Sequence, residues 1–323
     1  MLMIWKSISP KKLPKHALAV AGIALLALST ATANAQFFNP FGPPPSPTPG
    51  PVTYNFSTPV VTSPTEAPGV WYTDRFPPCG FVSPATAPDG TKNTLEESIC
   101  ASNFQTPAPS FFNTQGRKTD LGANTYSISI NLYVPAAWAT TPERLAGFWG
   151  TAVNSTGVIG NDYPIIDFQG PITPTGPQGP GDYPNGGVAG FYGWDNTANS
   201  GNGGFVYIGL PPGFHYNSWV TLTLTTVPGT GYEYSVRDPG SQRATSIRTG
   251  FYDPTETSIS NVILEGYNYD NNYSIYWNDL TLSSTSLSCP APSTGQPGLL
   301  GLLDQLLKPL SPPQPPGPPK PWW

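Results

Sequence analysis

The chain has 323 residues, 14 basic against 19 acidic, and 10 % of it is charged, where soluble domains usually carry about 25 %. Gly, Pro, Ser, Thr, Asn and aromatic residues fill that gap, a composition that suits an extracellular protein with a polar, uncharged surface. With its few basic residues outside the N-terminus unclustered, a nucleic-acid surface is excluded. With three cysteines, so is a scaffold held together by disulfides alone.

Residues 1–35 read as a secretory signal. Lys6, Lys11, Lys12 and Lys15 form a basic start, Ala17–Leu28 is apolar, and Ala33-Asn34-Ala35 offers small residues for cleavage. The apolar run falls short of the ~20 residues that span a bilayer, and no later segment does better, so no membrane span is expected. Loss of the four lysines leaves 14 − 4 = 10 basic against 19 acidic residues, a net charge of −9 on a chain that starts at Gln36. The implied location is secreted: extracellular, periplasmic or at the cell surface. Residues 36–68 follow as a disordered Pro-rich linker, in which Pro43-Pro44-Pro45-Ser46-Pro47 favours an extended polyproline segment.

One domain is expected over residues 69–288. Its clearest segment is Tyr126–Val134, where Tyr126, Ile128, Ile130, Leu132 and Val134 alternate with Ser127, Ser129, Asn131 and Tyr133. A strict period of two marks a strand with one buried face. Further strand patterns cover 125–134, 145–153, 163–168, 205–209, 219–226, 232–236, 246–249, 261–265 and 273–282, with Gly, Pro and Asn between them. No segment of the domain carries a 3.6-residue stripe. Many strands and few helices predict an all-β fold, a two-sheet antiparallel jelly-roll sandwich. Trp149, Trp219 and Trp277 fall within strand patterns and are expected in its core. Cys79 and Cys100 are close enough in sequence to form a disulfide, and Cys289 is left over. Residues 289–323 form a disordered Pro-rich tail. Within it Leu299–Leu307 reads as a short amphipathic helix that docks on the domain or on a protein partner.

A strand ending Leu132-Tyr133-Val134-Pro135, a middle strand opening at Trp219 and a closing strand Tyr273–Leu282 resemble the concanavalin A-like lectin/glucanase superfold, which includes laminin-G-like domains. The resemblance covers residues 69–288 and rests on strand rhythm. It implies a concave sheet whose bordering loops bind glycans, with calcium near the loops.

Catalytic patterns are sparse. The Glu-x-Asp-x-x-Glu string of that superfold's glucanases is missing. Glu96 and Glu97 are adjacent and face opposite sides of a strand. Asp162 and Asp167 diverge, and Glu233 and Glu265 are isolated in sequence. There is no Gly-x-Ser-x-Gly elbow, and His215 is the sole histidine after residue 35, against nucleophilic hydrolysis and against zinc. No cofactor is expected other than calcium, for which Asp195, Asn199 and Asn202 offer oxygen ligands; turn formation explains the same residues.

The aromatics carry the functional reading. Flat rings stack on sugar faces, and amides and carboxylates bind hydroxyls. Tyr192 and Trp194 border a long Gly- and Pro-rich stretch, and Gln115 and Arg117 stand just before the alternating strand, whose polar face adds Asn131 and Tyr133. These six are the candidate ligand-binding residues of a non-catalytic carbohydrate-binding domain. The alternatives are a surface-tethered structural protein, suggested by the Pro-rich ends, and a polysaccharide hydrolase or lyase whose site is assembled from distant residues.

Overall fold

The computed structural model describes residues 51–284, apart from 105–112, 143, 172–186, 199–202 and 242. The expected signal peptide, most of the linker and the tail lie outside the described residues. Among the described residues fifteen strands follow in chain order. The first five are β1 (Val52–Tyr54), β2 (Thr62–Ser63), β3 (Trp71–Thr73), β4 (Gly80–Thr86) and β5 (Lys92–Ile99). Next come β6 (Thr114–Val134), β7 (Leu145–Asn154), β8 (Ile165–Gln169), β9 (Gly190–Asp195) and β10 (Gly204–Gly209). The last are β11 (Ser218–Val227), β12 (Gly231–Arg237), β13 (Ala244–Gly250), β14 (Glu256–Tyr267) and β15 (Tyr273–Ser284).

The alternating segment is the second half of β6, a strand of 21 residues that serves two sheets. Its first half pairs with β14 and β3, and its second half pairs with β11 and β15. The first sheet therefore runs β2-β3-β6-β14-β7-β8-β9-β10. The second runs β4-β5-β15-β6-β11-β12-β13, with β1 added on β15. The crossing lies at Leu121–Asn124, where β14 skips from Thr125 to Asp120 and Asn124 takes φ 61°. Asparagine tolerates that left-handed geometry better than other side chains with a Cβ. The sheets then pack face to face, with β11 against β8 and β14, and β13 against β9 and β10. This is the all-β, two-sheet antiparallel sandwich that the strand rhythm predicts.

The core fills the space between the sheets. Ile128, Ile130, Leu132 and Val134 of β6 enter it with Val220, Leu222 and Leu224 of β11 and Ile275, Trp277 and Leu280 of β15. The first sheet contributes Phe148, Ile166, Phe168, Phe191, Val262 and Leu264. Cys79 and Cys100 form the expected disulfide, which ties the lead-in of β4 to the end of β5.

Three sequence expectations shift. The folded chain begins ahead of residue 69, because β1 pairs with β15 and Phe56 enters the core. Phe191–Trp194, which borders the Gly- and Pro-rich stretch and falls in none of the expected strand patterns, lies in strand β9. Trp219 sits half-buried on the outer face of the second sheet, against Tyr133 at 5.5 Å between ring centroids, and not in the core. Its indole nitrogen donates to Asp89 at 2.8 Å, a partner supplied by a turn 130 residues away that no local pattern reveals.

Candidate functional site

The first sheet is unusual in being buried on both faces. All five residues of β8 are buried, as are eight of the ten in β7. The inner face belongs to the main core. The outer face carries two apolar clusters of its own: Leu145, Tyr192, Tyr267 and Tyr269, and Trp149, Ile165 and Ile263. Period two places these residues on the side opposite Phe148, Ile166 and Phe191.

Strand register arranges the outer face in rows. One row reads Tyr207, Tyr192, Asp167, Gly147, Glu265, Gly116 across β10, β9, β8, β7, β14 and β6. It sets two carboxyl side chains on either side of a glycine, Cα atoms two strand spacings or about 9–10 Å apart. The neighbouring row pairs Phe205 with Trp194, then Ile165 with Trp149, Ile263 and Lys118. Trp194 meets Phe205 edge-on at 5.0 Å, and Trp149 lies 6.2 Å from Tyr163, which is 37 % exposed. The row on the other side holds Gln169, whose amide donates to Gly170 O at 3.0 Å.

The electrostatics of this face single out Glu265. Burial pushes its carboxyl up to about 8; Arg75 opposes the shift and Asp74 adds to it. The side chain is therefore a neutral acid at pH 7, able to donate a hydrogen bond. Its Oε2 has no hydrogen-bond partner, and neither has Trp149 Nε1. Buried polar atoms of this kind are normally satisfied. The Arg75 guanidinium lies over the Trp149 ring at 4.0 Å, so it stands between these groups and solvent. Asp74 sits 3.7 Å from both Arg75 and Lys118.

The six candidate ligand residues separate onto three surfaces. Tyr192 and Trp194 lie in the outer rows of the first sheet. Gln115 and Arg117 point the other way, between the sheets, because they pair with Gly266 and Leu264. Arg117 donates to Ser63 O at 3.1 Å and Gln115 to Asn103 O at 3.4 Å, so the structure uses both as internal ties and does not set them beside Trp194. Asn131 and Tyr133 lie on the outer face of the second sheet. Asn131 accepts from Thr221 Oγ1 at 2.7 Å. Of the proposed calcium ligands, Asn199 and Asn202 lie outside the described residues. Asp195 Oδ1 accepts from the Thr197 amide and hydroxyl at 2.9 and 2.7 Å, an Asx turn. Among the described residues no cluster of three or more His, Cys, Asp or Glu side chains is placed to hold a metal.

The sequence sets Asp167 only against Asp162 and leaves Glu265 isolated, so nothing local pairs Asp167 with Glu265. They are 98 positions apart, and only the pairing of both strands with β7 aligns them. Local alternation could give each residue's face but not which strands are neighbours.

No family model matches the sequence, and none of the curated proteins matches it. Solved structures do. An alginate lyase bound to an alginate trisaccharide matches at 13 % identity and TM-score 0.42, over 74 % of this chain and 99 % of that one. The lectin UEA-II complexed with galactose matches at 11 % identity and TM-score 0.42, over 73 % and 99 %. An endo-β-1,4-glucuronan lyase from the fungus Trichoderma reesei matches at 12 % identity and TM-score 0.39, over 67 % and 91 %.

Proposed function

We propose that this is a secreted carbohydrate-binding protein whose site is the outer face of the first sheet. The observation that carries the reading is the juxtaposition of two rows: rings of Phe205, Trp194, Trp149 and Tyr163 beside the orphaned polar atoms of Glu265 and Trp149. Trp194, Phe205 and Tyr163 are accessible enough to stack on a sugar ring. With Glu265 protonated, the basic Arg75 and Lys118 meet two acidic side chains on this face, Asp74 beside both and Asp167 in the adjoining row, so the face favours an uncharged glycan. A ligand hydroxyl, which both donates and accepts, matches the two orphaned atoms once Arg75 moves aside.

Affinity electrophoresis of the full chain in gels containing soluble polysaccharides tests the reading. Retardation by at least one neutral polymer is expected. Trp194→Ala should weaken it about tenfold or more, the loss of ~1.4 kcal/mol or greater, measured well below the variant's melting temperature because Trp194 also packs on Phe205 and the Trp149 cluster. Equal mobility in every polymer overturns the proposal.

The acid pair supports a second reading, hydrolysis. Glycosidases use two carboxyl groups on one face, roughly 5–9.5 Å apart, one of them held protonated. Glu265 meets the second condition. Release of reducing ends by the wild type, abolished in both Glu265→Gln and Asp167→Asn, would establish it.

A further inference from the structure

A groove with a volume of about 410 Å³ opens between the β1 segment and the crossing of β6. Phe56, Val60, Trp71, Leu121, Leu280 and Leu282 supply its apolar walls. Its rim leaves Tyr54 and Val61 exposed, at 52 % and 62 %, with Val52 at 52 % beside them. Large apolar side chains exposed side by side around one groove mark a surface that something covers.

The described chain ends at Ser284, two residues past Leu282, which is itself a wall of the groove. The segment that follows contains Leu299, Leu300, Leu302, Leu303, Leu306 and Leu307. At 100° per residue these leucines fall within an arc of about 160°, and Gly301, Asp304, Gln305 and Lys308 fill the remainder. That stripe is continuous, and nine helical residues are about 14 Å long. Such a helix is too short to persist alone and needs a surface to form on. Treated as a random coil, the 14 residues between Ser284 and Leu299 have a root-mean-square reach of about 20 Å. They hold the leucines near the groove at an effective concentration on the order of millimolar. Lys308 follows the stripe, and Asp120 lies in the groove wall.

We propose that this groove is the docking site for the chain's own Leu299–Leu307 segment, which folds as a short helix with its leucine stripe against Tyr54, Val61 and Leu121. The tail is then part of the domain's surface, a cover for the β1 edge.

Hydrogen exchange of the full chain tests this. The double variant Leu303→Asp/Leu306→Asp leaves every core side chain in place, so it keeps the sandwich folded. Amides of residues 52–61 should exchange about tenfold faster or more in the variant than in the wild type, and a synthetic peptide spanning 297–309 should restore the slow exchange. Equal rates in wild type and variant overturn the proposal. So does protection that grows with protein concentration, which would make the occupant a second copy.

Discussion

At the residue scale, Glu265 shows how placement changes chemistry. The same carboxyl in water would be ionised at pH 7; between Gly147 and Gly116, under Arg75, it is pushed up to about 8. Its folded-state affinity for protons exceeds its unfolded one, so its contribution to stability is greatest at low pH and is lost as pH rises through about 8. Glu265→Gln keeps the shape and removes the titration. Melting curves should show variant and wild type close together at pH 5, and the variant gaining on the wild type by a few kcal/mol as pH approaches 9. An unchanged gap between the two at both pH values would show that this carboxyl is not protonated in the fold. Gln115 and Arg117 teach the converse. Both are polar and stand near a turn-rich stretch, which made them good ligand candidates. Pairing with Gly266 and Leu264 turns them inward, where Arg117 ties β6 to Ser63 and Trp71.

At the scale of elements, glycines decide which strands can approach. A Cβ on Gly193 in β9 would lie 2.9 Å from the Tyr234 ring of the facing sheet. Gly193→Ala should therefore overpack the core and cost about 1–3 kcal/mol, read as a lowered denaturant midpoint. The crossing of β6 depends on the opposite property. Asn124 holds φ 61°, and Asn124→Gly should be neutral or mildly stabilising, whereas Asn124→Val should lower stability by about 1–2 kcal/mol. The polar side of the second half of β6, visible in the sequence, becomes part of a longer array. Register aligns Thr53, Thr281, Ser129, Thr223, Ser235 and Ser246 across six strands, and Thr53 and Thr281 hydroxyls meet at 2.9 Å. A hydroxyl at each step keeps that row wetted without charge, and the charges nearby on the same face, Glu233 and Arg248, pair with each other.

At the scale of the molecule, three buried carboxyls raise the same expectation. Burial pushes Glu97 up to about 8 and raises Asp162 as well, the second reinforced by Glu256, and Glu265 joins them. From about pH 4 to 8 the folded chain holds more protons than the unfolded one, so stability should fall as pH rises across that window. The melting temperature is expected to be higher at pH 5 than at pH 8.5, and a flat profile would contradict the burial of these groups. Reduction of Cys79–Cys100, which closes a 21-residue separation, should cost about 3 kcal/mol in the chain-entropy picture, visible as a lower melting temperature with dithiothreitol.

The sequence by itself determined the fold class, because the buried face of the second half of β6, of β11 and of β12 is written locally as a period of two and survives any tertiary arrangement. It determined the disulfide partners as well, by proximity along the chain. It gave Tyr192 and Trp194 as residues of interest but not their surroundings. Only the tertiary structure decided which strands are neighbours, that β6 belongs to both sheets, and that Asp167 and Glu265 share a row across β7. Register between distant strands is set by the summed packing of two faces and not by any one segment. A site assembled from β7, β8, β9 and β14 is therefore legible only once those strands stand side by side.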